Sequence, residues 1–457
     1  MQPPGMSRHG RRSFLRSCGA AAGGLGVLGL IRDRDLEGAV RGVNRNSAPS
    51  ELKITDLRVA VVGQAPFVVP LVRIDTNQGL SGLGEVRDDG SELYALMLKS
   101  RLVGENPCNV ERVFRKIKQF GQHGRQGGGV SAVEMACWDL AGKAFGVPVY
   151  QMLGGRYRDK IRLYADTPES KDGEETGRRL KARMDKGLTW LKVDVNIDLF
   201  LDVPGAVTFP KGASFAYHDP VEGPFTGIQL TDKGIALMAD YVAAVRSVIG
   251  IDVPLGTDHF GHIDVNSGIR LARAFERQNL AWMEDIVPWQ FGEQLRQIRD
   301  AVNVPVCTGE DVYLKEPFAR LIEMGAVDVI QPDLATAGGI LETKKIGDLA
   351  REHGIPMAMH FAGSPVSFMA NLHCAAATEN LLVLEHHSLD VPWWEDLVSG
   401  IPKPVVQAGF AAVPDGPGLG IELNEEVAKQ HLVRPGYFEP TPLWDPGRSP
   451  SLDRQWS

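Results

Sequence analysis

The sequence predicts an α/β fold in which a TIM-like (β/α)7–8 barrel follows an N-terminal α+β capping domain. The chain of 457 residues exceeds the roughly 250 at which one hydrophobic core usually stops growing, so at least two packed domains are expected. Beyond about residue 160 short apolar strands alternate with amphipathic helices, which is typical of parallel β/α units. Polar residues close those strands at regular intervals, as repeated β/α units require.

We expect four segments along the chain. Residues 1–48 form an export signal and linker, 49–158 the capping domain, 159–390 the barrel, and 391–457 a C-terminal segment that ends in a tail. A net charge of −8 and a pI near 5.8 give no basic surface for nucleic acid, so we expect no nucleic-acid partner. The five cysteines lack the CxxC spacing of zinc sites and are interpreted as free thiols.

The N-terminus is similar to a twin-arginine export signal. Paired arginines, Arg11 and Arg12, precede Phe14, Leu15 and a short Gly- and Ala-rich apolar run that ends near residue 31. That run is shorter than the roughly 20 apolar residues of a membrane-spanning helix, so we expect no membrane insertion after export. A periplasmic or exported location follows from this motif; the alternatives are a disordered basic tail and a cytoplasmic protein.

The capping domain begins with β-type runs and continues with helical periodicity. Strands are predicted over Leu57–Val62 and Val68–Asp75, and the Gly-rich run Gly79–Glu85 is interpreted as a turn. Helical spacing of apolar residues follows over Ser91–Phe120 and Val130–Phe145. Together these segments favour an α+β domain.

The barrel segment contains seven apolar runs that predict strands, with amphipathic helices between them. The strands are Leu191–Val195, Pro254–Asp258, Ala281–Glu284, Val304–Gly309, Val327–Gln331, Pro356–His360 and Leu381–Glu385. The helices are Ile269–Gln278, Glu293–Ala301, Pro317–Met324, Leu341–His353 and Val366–Ala376. Polar residues at positions 258, 284, 310, 333, 360 and 385 are 26, 26, 23, 27 and 25 residues apart, about one β/α unit each.

Three of these polar residues form a predicted metal site. Asp258, Glu284 and Glu310 would close consecutive strands, and three carboxylates that close together repel one another unless a cation binds them. Oxygen ligands that leave coordination positions open favour Mg²⁺ over Zn²⁺. Any one of these acids alone could equally be a helix cap or a solvated loop carboxylate; their common register favours the metal.

The same segments resemble the enolase superfamily, in its mandelate racemase/muconate lactonizing enzyme branch and on the mannonate and galactonate dehydratase side. The resemblance covers about residues 52–435 and rests on Gly79–Glu85, Gly256–Asp258, Trp282–Asp285, Thr308–Asp311, Gln331–Asp333, Gly338–Gly339 and Pro356–His360. It implies that a carboxylate substrate binds at Mg²⁺ while a base removes the adjacent proton, giving an enediolate. It also implies that Gly409–Leu423 returns to the capping domain.

By the same resemblance, His360 is the base, Asp333 is its hydrogen-bonding partner, and Glu385 binds the substrate carboxylate. A carboxylate bonded to one ring nitrogen orients an imidazole and makes it more basic. Racemases of this branch carry Lys-x-Lys on the strand that corresponds to Leu191–Val195. This chain has Lys192 there, followed two residues later by Asp194. The usual opposing base is therefore missing, which favours elimination of water over racemisation.

The group that protonates the leaving hydroxyl is less clearly indicated. Related dehydratases place a histidine two residues after the first metal ligand, where this chain has Phe260. His262 in the following loop is the expected substitute, because strand alternation turns the His259 side chain away from the mouth. Asp194 and His259 are each candidate substrate contacts.

A long excursion over about residues 198–232 is interpreted as a lid, with Tyr217 and His218 as candidate substrate contacts. The alternative is a surface insertion.

The expected function is a Mg²⁺-dependent dehydratase that converts a sugar acid to a 2-keto-3-deoxy acid, acting as a homo-oligomer. A racemase or epimerase that pairs His360 with Lys192 is the first alternative. A non-catalytic, metal-dependent acid-binding protein is the second. Solvent deuterium entering the substrate without loss of water would indicate a racemase or epimerase. Ligand binding without chemistry would indicate a binding protein.

Overall fold

The N-terminal part of the chain folds around an antiparallel sheet. The computed structural model describes residues 48–64, 67–208, 228–258 and 263–448. The first three strands are β1 (Ile54–Gln64), β2 (Phe67–Thr76) and β3 (Ser81–Glu85), and the late strand Leu432–Tyr437 pairs with β1 at the sheet edge. The Gly-rich run interpreted as a turn is therefore a strand from Ser81 onward, which corrects that prediction.

Close packing explains the glycines of β3. A Cβ on Gly82 or Gly84 would lie 2.2 Å from the carbonyl oxygen of Ala136 or 1.9 Å from that of Ala132. Both carbonyls belong to the long helix that covers the sheet, so only glycine permits this approach. The helices of this region are α1 (Leu93–Leu96), α2 (Lys99–Leu102), α3 (Val110–Ile117), α4 (Gly127–Phe145) and α5 (Val149–Met152).

Eight parallel strands form the barrel-like domain. They are β4 (Lys160–Tyr164), β5 (Leu191–Asp194), β8 (Leu255–Asp258), β9 (Trp282–Glu284), β10 (Val306–Thr308), β11 (Val329–Ile330), β12 (Met357–Met359) and β13 (Leu381–Glu385). Their sheet order is β4-β13-β12-β11-β10-β9-β8-β5. The first of them, β4, was absent from the predicted strands, and β10 and β11 are shorter than predicted. Side chains such as Tyr164, Trp282 and Cys307 pack together between the strands.

Five of the helices between these strands lie near the predicted positions, whereas those over Gly173–Asp185, Asp232–Ile249 and Leu334–Ala337 were not predicted. The helices are α6 (Gly173–Asp185), α7 (Asp232–Ile249), α8 (Val265–Phe275), α9 (Gly292–Ala301), α10 (Lys315–Met324), α11 (Leu334–Ala337), α12 (Ile340–Glu352) and α13 (Pro365–Ala377), with α14 (Glu425–Gln430) in the C-terminal segment. Side-chain caps set several starts: Asp264 accepts from the Asn266 and Ser267 amides, and Ser364 from the Val366 amide. Short 3₁₀ turns occupy Pro49–Glu51, Lys118–Phe120, Gly124–Gln126, Ile197–Leu199, Glu276–Gln278, Trp394–Leu397 and Pro442–Trp444.

The predicted lid segment is closed at its base by a two-stranded ribbon. Strand β6 (Val207–Thr208) pairs antiparallel with β7 (Gln229–Leu230), and residues 209–227 lie outside the described residues. Whether the segment is a lid therefore stays a prediction.

The C-terminal segment contacts both parts of the fold. Its strands are β14 (Val398–Ser399), β15 (Val406–Gln407), β16 (Phe410–Ala412), β17 (Glu422–Leu423) and β18 (Leu432–Tyr437). Strand β16 pairs with the barrel strand β4. Gly418 exchanges backbone hydrogen bonds with Val147 and Val149, and β18 completes the N-terminal sheet. Within Gly409–Leu423, Gly418 therefore contacts the N-terminal part, whereas Phe410–Ala412 pairs with the barrel strand β4.

Buried carboxylates of the N-terminal part cap helices of the barrel. Glu85 accepts hydrogen bonds from the Ser364 and Ser367 amides at the start of α13. Glu134 accepts them from the Ile340 and Leu341 amides at the start of α12, at 2.6 and 3.0 Å. Both satisfy amides that an isolated helix would leave unpaired, so the two parts of the fold are joined by hydrogen bonds as well as apolar contact.

Within the described ranges, no helix is both long enough and apolar enough to cross a membrane.

Candidate active site

The three predicted metal ligands lie together at the carboxyl ends of their strands. Asp258 ends β8, Glu284 ends β9, and Glu310 follows β10 by two residues. One oxygen of each lies within 4.8 Å of the others, and these three residues are called the carboxylate trio below. Asp258 and Glu284 are buried, and Glu310 is only partly exposed.

The electrostatics of the carboxylate trio fit a cation. Burial and then the neighbouring Asp258 raise the pKa of Glu284 well above its ordinary value. Its Oε2 accepts a hydrogen bond from Trp282 Nε1 at 3.1 Å, but the buried Oε1 has no hydrogen-bond partner within the described residues. A crowded set of carboxylates with an unsatisfied buried oxygen is a donor set suited to a hard divalent ion.

Lys192 lies against the same carboxylates from the second barrel strand. Its Nζ is 2.7 Å from Asp258 Oδ2, 3.1 Å from Glu385 Oε1 and 3.6 Å from Glu284 Oε1. Burial alone would lower the pKa of Lys192, but these carboxylates outweigh burial and raise it well above its ordinary value. The ammonium form is thus favoured, and Lys192 neutralises carboxylates rather than offering a free base. Asp194, two residues further along β5, is in register with Asp258 at the mouth.

The predicted base and its partner form a hydrogen-bonded pair. His360 Nδ1 is 2.6 Å from Asp333 Oδ2, and a backbone bridge joins the same two residues. The other ring nitrogen, Nε2, is 3.1 Å from Glu310 Oε2, so it faces the carboxylate trio. Asp333 also caps the short helix α11 by accepting from the Thr336 amide, which holds its carboxylate in place.

Arg87, which the sequence interpretation missed, joins the N-terminal part to this pair. Its guanidinium donates to the Glu310 carbonyl at 2.7 Å and to Thr336 Oγ1 at 2.8 Å. It also pairs with Asp88 at 2.8 Å and lies 3.6 Å from Asp333 Oδ2. The only available signal was its position two residues after the Gly79–Glu85 run.

Glu385 ends the last parallel strand of the barrel, β13. Tyr164 Oη donates to Glu385 Oε2 at 2.9 Å and accepts from Gln331 Nε2 at 2.8 Å. Burial alone would raise the pKa of Glu385, but Lys192 and then His387 outweigh burial and hold it well below its ordinary value. Glu385 is therefore an anion surrounded by donors.

His387 is a second residue that the sequence interpretation missed. Atoms of His360, Glu385 and His387 lie within 4.8 Å of one another, and the two imidazole centroids are 5.3 Å apart. The run Glu385-His386-His387, directly after a predicted site acid, was the signal that could have found it.

The remaining predicted contacts fall on parts of the chain without described structure. His259 and His262 lie in residues 259–262, and Tyr217 and His218 in residues 209–227, all outside the described residues. Their roles stay predictions.

Comparison with known families decides the classification. The C-terminal model that matches is "Enolase C-terminal domain-like", over residues 175–427, more than half of the chain. The N-terminal match is "Mandelate racemase / muconate lactonizing enzyme, N-terminal domain", over residues 39–154. The chain belongs to the enolase superfamily. Within it, the paired matches assign the chain to the mandelate racemase/muconate lactonizing enzyme branch, as the sequence resemblance predicted.

Relatives in this superfamily cover nearly the whole chain. A D-xylonate dehydratase of Haloferax volcanii is 33% identical over 402 residues, 85% of this chain and 91% of that protein. A D-galactonate dehydratase family member, RspA, of Pantoea ananatis is 29% identical and covers 88% of this chain and 98% of its own. Among solved structures, a mandelate racemase/muconate lactonizing enzyme-like protein from Rubrobacter xylanophilus has a TM-score of 0.75 at 33% identity, over 85% of this chain and 99% of that one. Enolase superfamily members bind a divalent metal, and the carboxylate trio supplies candidate ligands here.

Proposed function

We propose that this chain is a Mg²⁺-dependent hydro-lyase that removes water from a sugar acid and produces a 2-keto-3-deoxy acid. The observation that carries the proposal is the position of His360 Nε2, 3.1 Å from Glu310 Oε2 at the edge of the carboxylate trio. A substrate whose carboxylate binds there presents its α-carbon to the base. The D-xylonate and D-gluconate dehydratases among its relatives support a sugar acid as substrate.

Asp258, Glu284 and Glu310 would hold the ion. Bound Mg²⁺ would supply positive charge against the negative charge that develops on the substrate carboxylate as the α-proton leaves. Three carboxylate oxygens suit Mg²⁺, which binds few protein ligands and keeps positions open.

The protein's own groups carry the remaining steps. His360 takes the α-proton, and Asp333, bonded to the opposite ring nitrogen, orients the imidazole and stabilises the imidazolium. Lys192 and Tyr164 fix the Glu385 carboxylate at the mouth, and the Lys192 ammonium offsets its repulsion of the substrate carboxylate. The β-hydroxyl then leaves as water from the enediolate.

Elimination is favoured over racemisation by the second barrel strand. Asp194 occupies the position at which racemases of this branch carry a basic lysine, and Lys192 is already bound by three carboxylates. A racemase needs proton transfer on both faces of the α-carbon, whereas a dehydratase needs abstraction on only one.

Incubation of the purified protein with pentonic, hexonic and hexaric acids and Mg²⁺ tests the proposal. We expect a 2-keto-3-deoxy acid from at least one of them, detected as a carbonyl product, and none with the Glu284→Gln variant. Deuterium incorporation at the α-carbon without water loss would instead indicate a racemase. Thermal stabilisation by an acid with no chemistry would indicate a binding protein.

We further propose that the chain is exported through its twin-arginine motif and works as a homo-oligomer. The motif lies outside the described residues, and its support is the sequence alone. Cell fractionation of the wild type and of an Arg11→Lys, Arg12→Lys variant tests export: we expect periplasmic protein only for the wild type. Light scattering of the purified protein tests the oligomer, which a monomeric mass would contradict.

A further inference from the structure

His387 occupies the flank of the mouth next to the base. Its Nε2 is 3.2 Å from Glu385 Oε1, and its Nδ1 is 3.7 Å from Asp166 Oδ2, just beyond β4. The Nε2 of His360 faces the other oxygen of the same carboxylate, at 3.8 Å. The His387 side chain is 24% exposed, whereas that of His360 is 4% exposed, so His387 lies on the open side of the pair.

The charges around His387 favour its protonated form. Burial alone would lower its pKa, but Glu385 and then Asp166 outweigh burial and the repulsion from Lys192, and raise it to about 9. His360 is also packed against His387, with its ring centroid 5.3 Å away. The Nε2 of His387 pairs with Glu385 Oε1 at 3.2 Å, and ligand atoms of His360, Glu385 and His387 lie within 4.8 Å of one another. A substrate hydroxyl bound at this cluster would therefore be within reach of the His387 proton.

We propose that His387 is the catalytic residue that donates a proton to the departing substrate hydroxyl. This inference rests on the proposed dehydratase function and names the group that the sequence left open. When the α-carbon–hydrogen bond breaks, its proton passes to His360 and its electron pair forms the enediolate. The β-carbon–oxygen bond then breaks as a carbon–carbon double bond forms, and the oxygen takes the His387 proton and leaves as water. The resulting enol becomes the ketone by gaining a proton at the β-carbon and losing its hydroxyl proton, so the net change is loss of one water.

The placement of the two rings also determines the stereochemistry. Both Nε2 atoms face the Glu385 carboxylate, which would place the base and the acid on the same side of a substrate bound there. The hydroxyl should therefore leave from the face that loses the α-proton, a syn elimination.

His386 provides a matched control in the same loop. Its ring packs among Phe361, Phe368 and Trp394, with centroids 5.8, 4.8 and 4.6 Å away. Burial lowers its pKa to about 3, so it is a neutral ring in an aromatic pocket. His386 is the same residue type as His387 and its immediate neighbour in the chain, but its ring does not lie at the mouth.

The test separates proton abstraction from elimination. With an acid that the wild type dehydrates, we expect His387→Asn to lose about 10²–10⁴-fold in kcat with KM little changed, as removal of a general acid does. We expect it to keep His360-dependent exchange of the α-hydrogen with deuterated solvent, followed by NMR. An analogue with fluoride in place of the β-hydroxyl should restore elimination, because fluoride leaves without a proton. The His386→Leu control should retain dehydration.

Two results would overturn the inference. One is dehydration by His387→Asn within about threefold of the wild type. The other is joint loss of exchange and elimination, which would assign His387 to positioning Glu385. His387→Gln gives a second variant if the first does not fold, as judged by thermal unfolding. A wild type that dehydrates no acid would instead contradict the proposed function. Failure of the His387 inference and failure of the dehydratase proposal are therefore distinguishable.

Discussion

Replacement of Arg87 by Met removes the buried cation that joins the N-terminal part of the chain to the barrel mouth. The guanidinium side chain is 1% exposed and pairs with Asp88 at 2.8 Å. It also donates to the Glu310 carbonyl and to Thr336 Oγ1, and lies 3.6 Å from Asp333. A methionine fills much of the same volume but supplies none of the donors.

The expected loss of stability follows from these contacts. Removing one partner of a buried ion pair costs about 3–5 kcal/mol, because the remaining charge is left buried without compensation. The two lost hydrogen bonds come from the same side chain, so their contributions overlap with that cost and are not additive. We expect a decrease of about 3–5 kcal/mol in the free energy of unfolding, out of a typical 5–15.

Urea denaturation followed by circular dichroism measures this change. Arg178, whose ion pairs with Glu174 and Glu175 lie on an exposed helix face, is the control, and Arg178→Met should leave the midpoint unchanged. The midpoint of Arg87→Lys should lie between those of Arg87→Met and the wild type, since lysine keeps the charge and loses the forked geometry of the guanidinium. A loss below about 1 kcal/mol for Arg87→Met would refute the reasoning, because it would show that the buried carboxylates need no partner.

Further predictions concern the site and its contacts with the N-terminal part. Glu284→Gln should abolish the heat of Mg²⁺ binding in calorimetry while leaving the circular dichroism unchanged; unaltered binding would remove Glu284 from the ligands. His360→Asn should abolish α-hydrogen exchange and dehydration together, and exchange persisting at the wild-type rate would exclude it as the base. Glu134→Ala should lower the free energy of unfolding by about 3 kcal/mol, since it leaves buried donors unpaired; a change within error in urea denaturation would contradict this. Because the pKa of His387 is raised from 6.5 to about 9, its contribution to stability is fully present below about pH 6.5 and is lost as pH rises through about 9. Dehydration should decline over the same upper range, and a flat profile from pH 8 to 10 would count against the assignment.

Much of the barrel was predictable because its strands are apolar runs that end in one polar residue. Helix α10, predicted from Pro317 to Met324, is observed from Lys315 to Met324. Strand β4 was missed because it begins with alternating charged and apolar residues, Lys160 to Leu163, rather than with a continuous apolar run. Strand β11 ends at Ile330, three residues before Asp333, which caps the helix that follows.

The sequence by itself determined the local features of the site: which acids close consecutive strands and which histidine ends the strand Pro356–His360. These depend on residue type and spacing, which repeat with each β/α unit. Only the tertiary structure decided that Arg87 reaches Asp333, that Lys192 lies among three carboxylates, and that His387 stands beside His360. Such contacts join residues far apart in the chain, and the charge states they favour depend on burial, which no local pattern encodes.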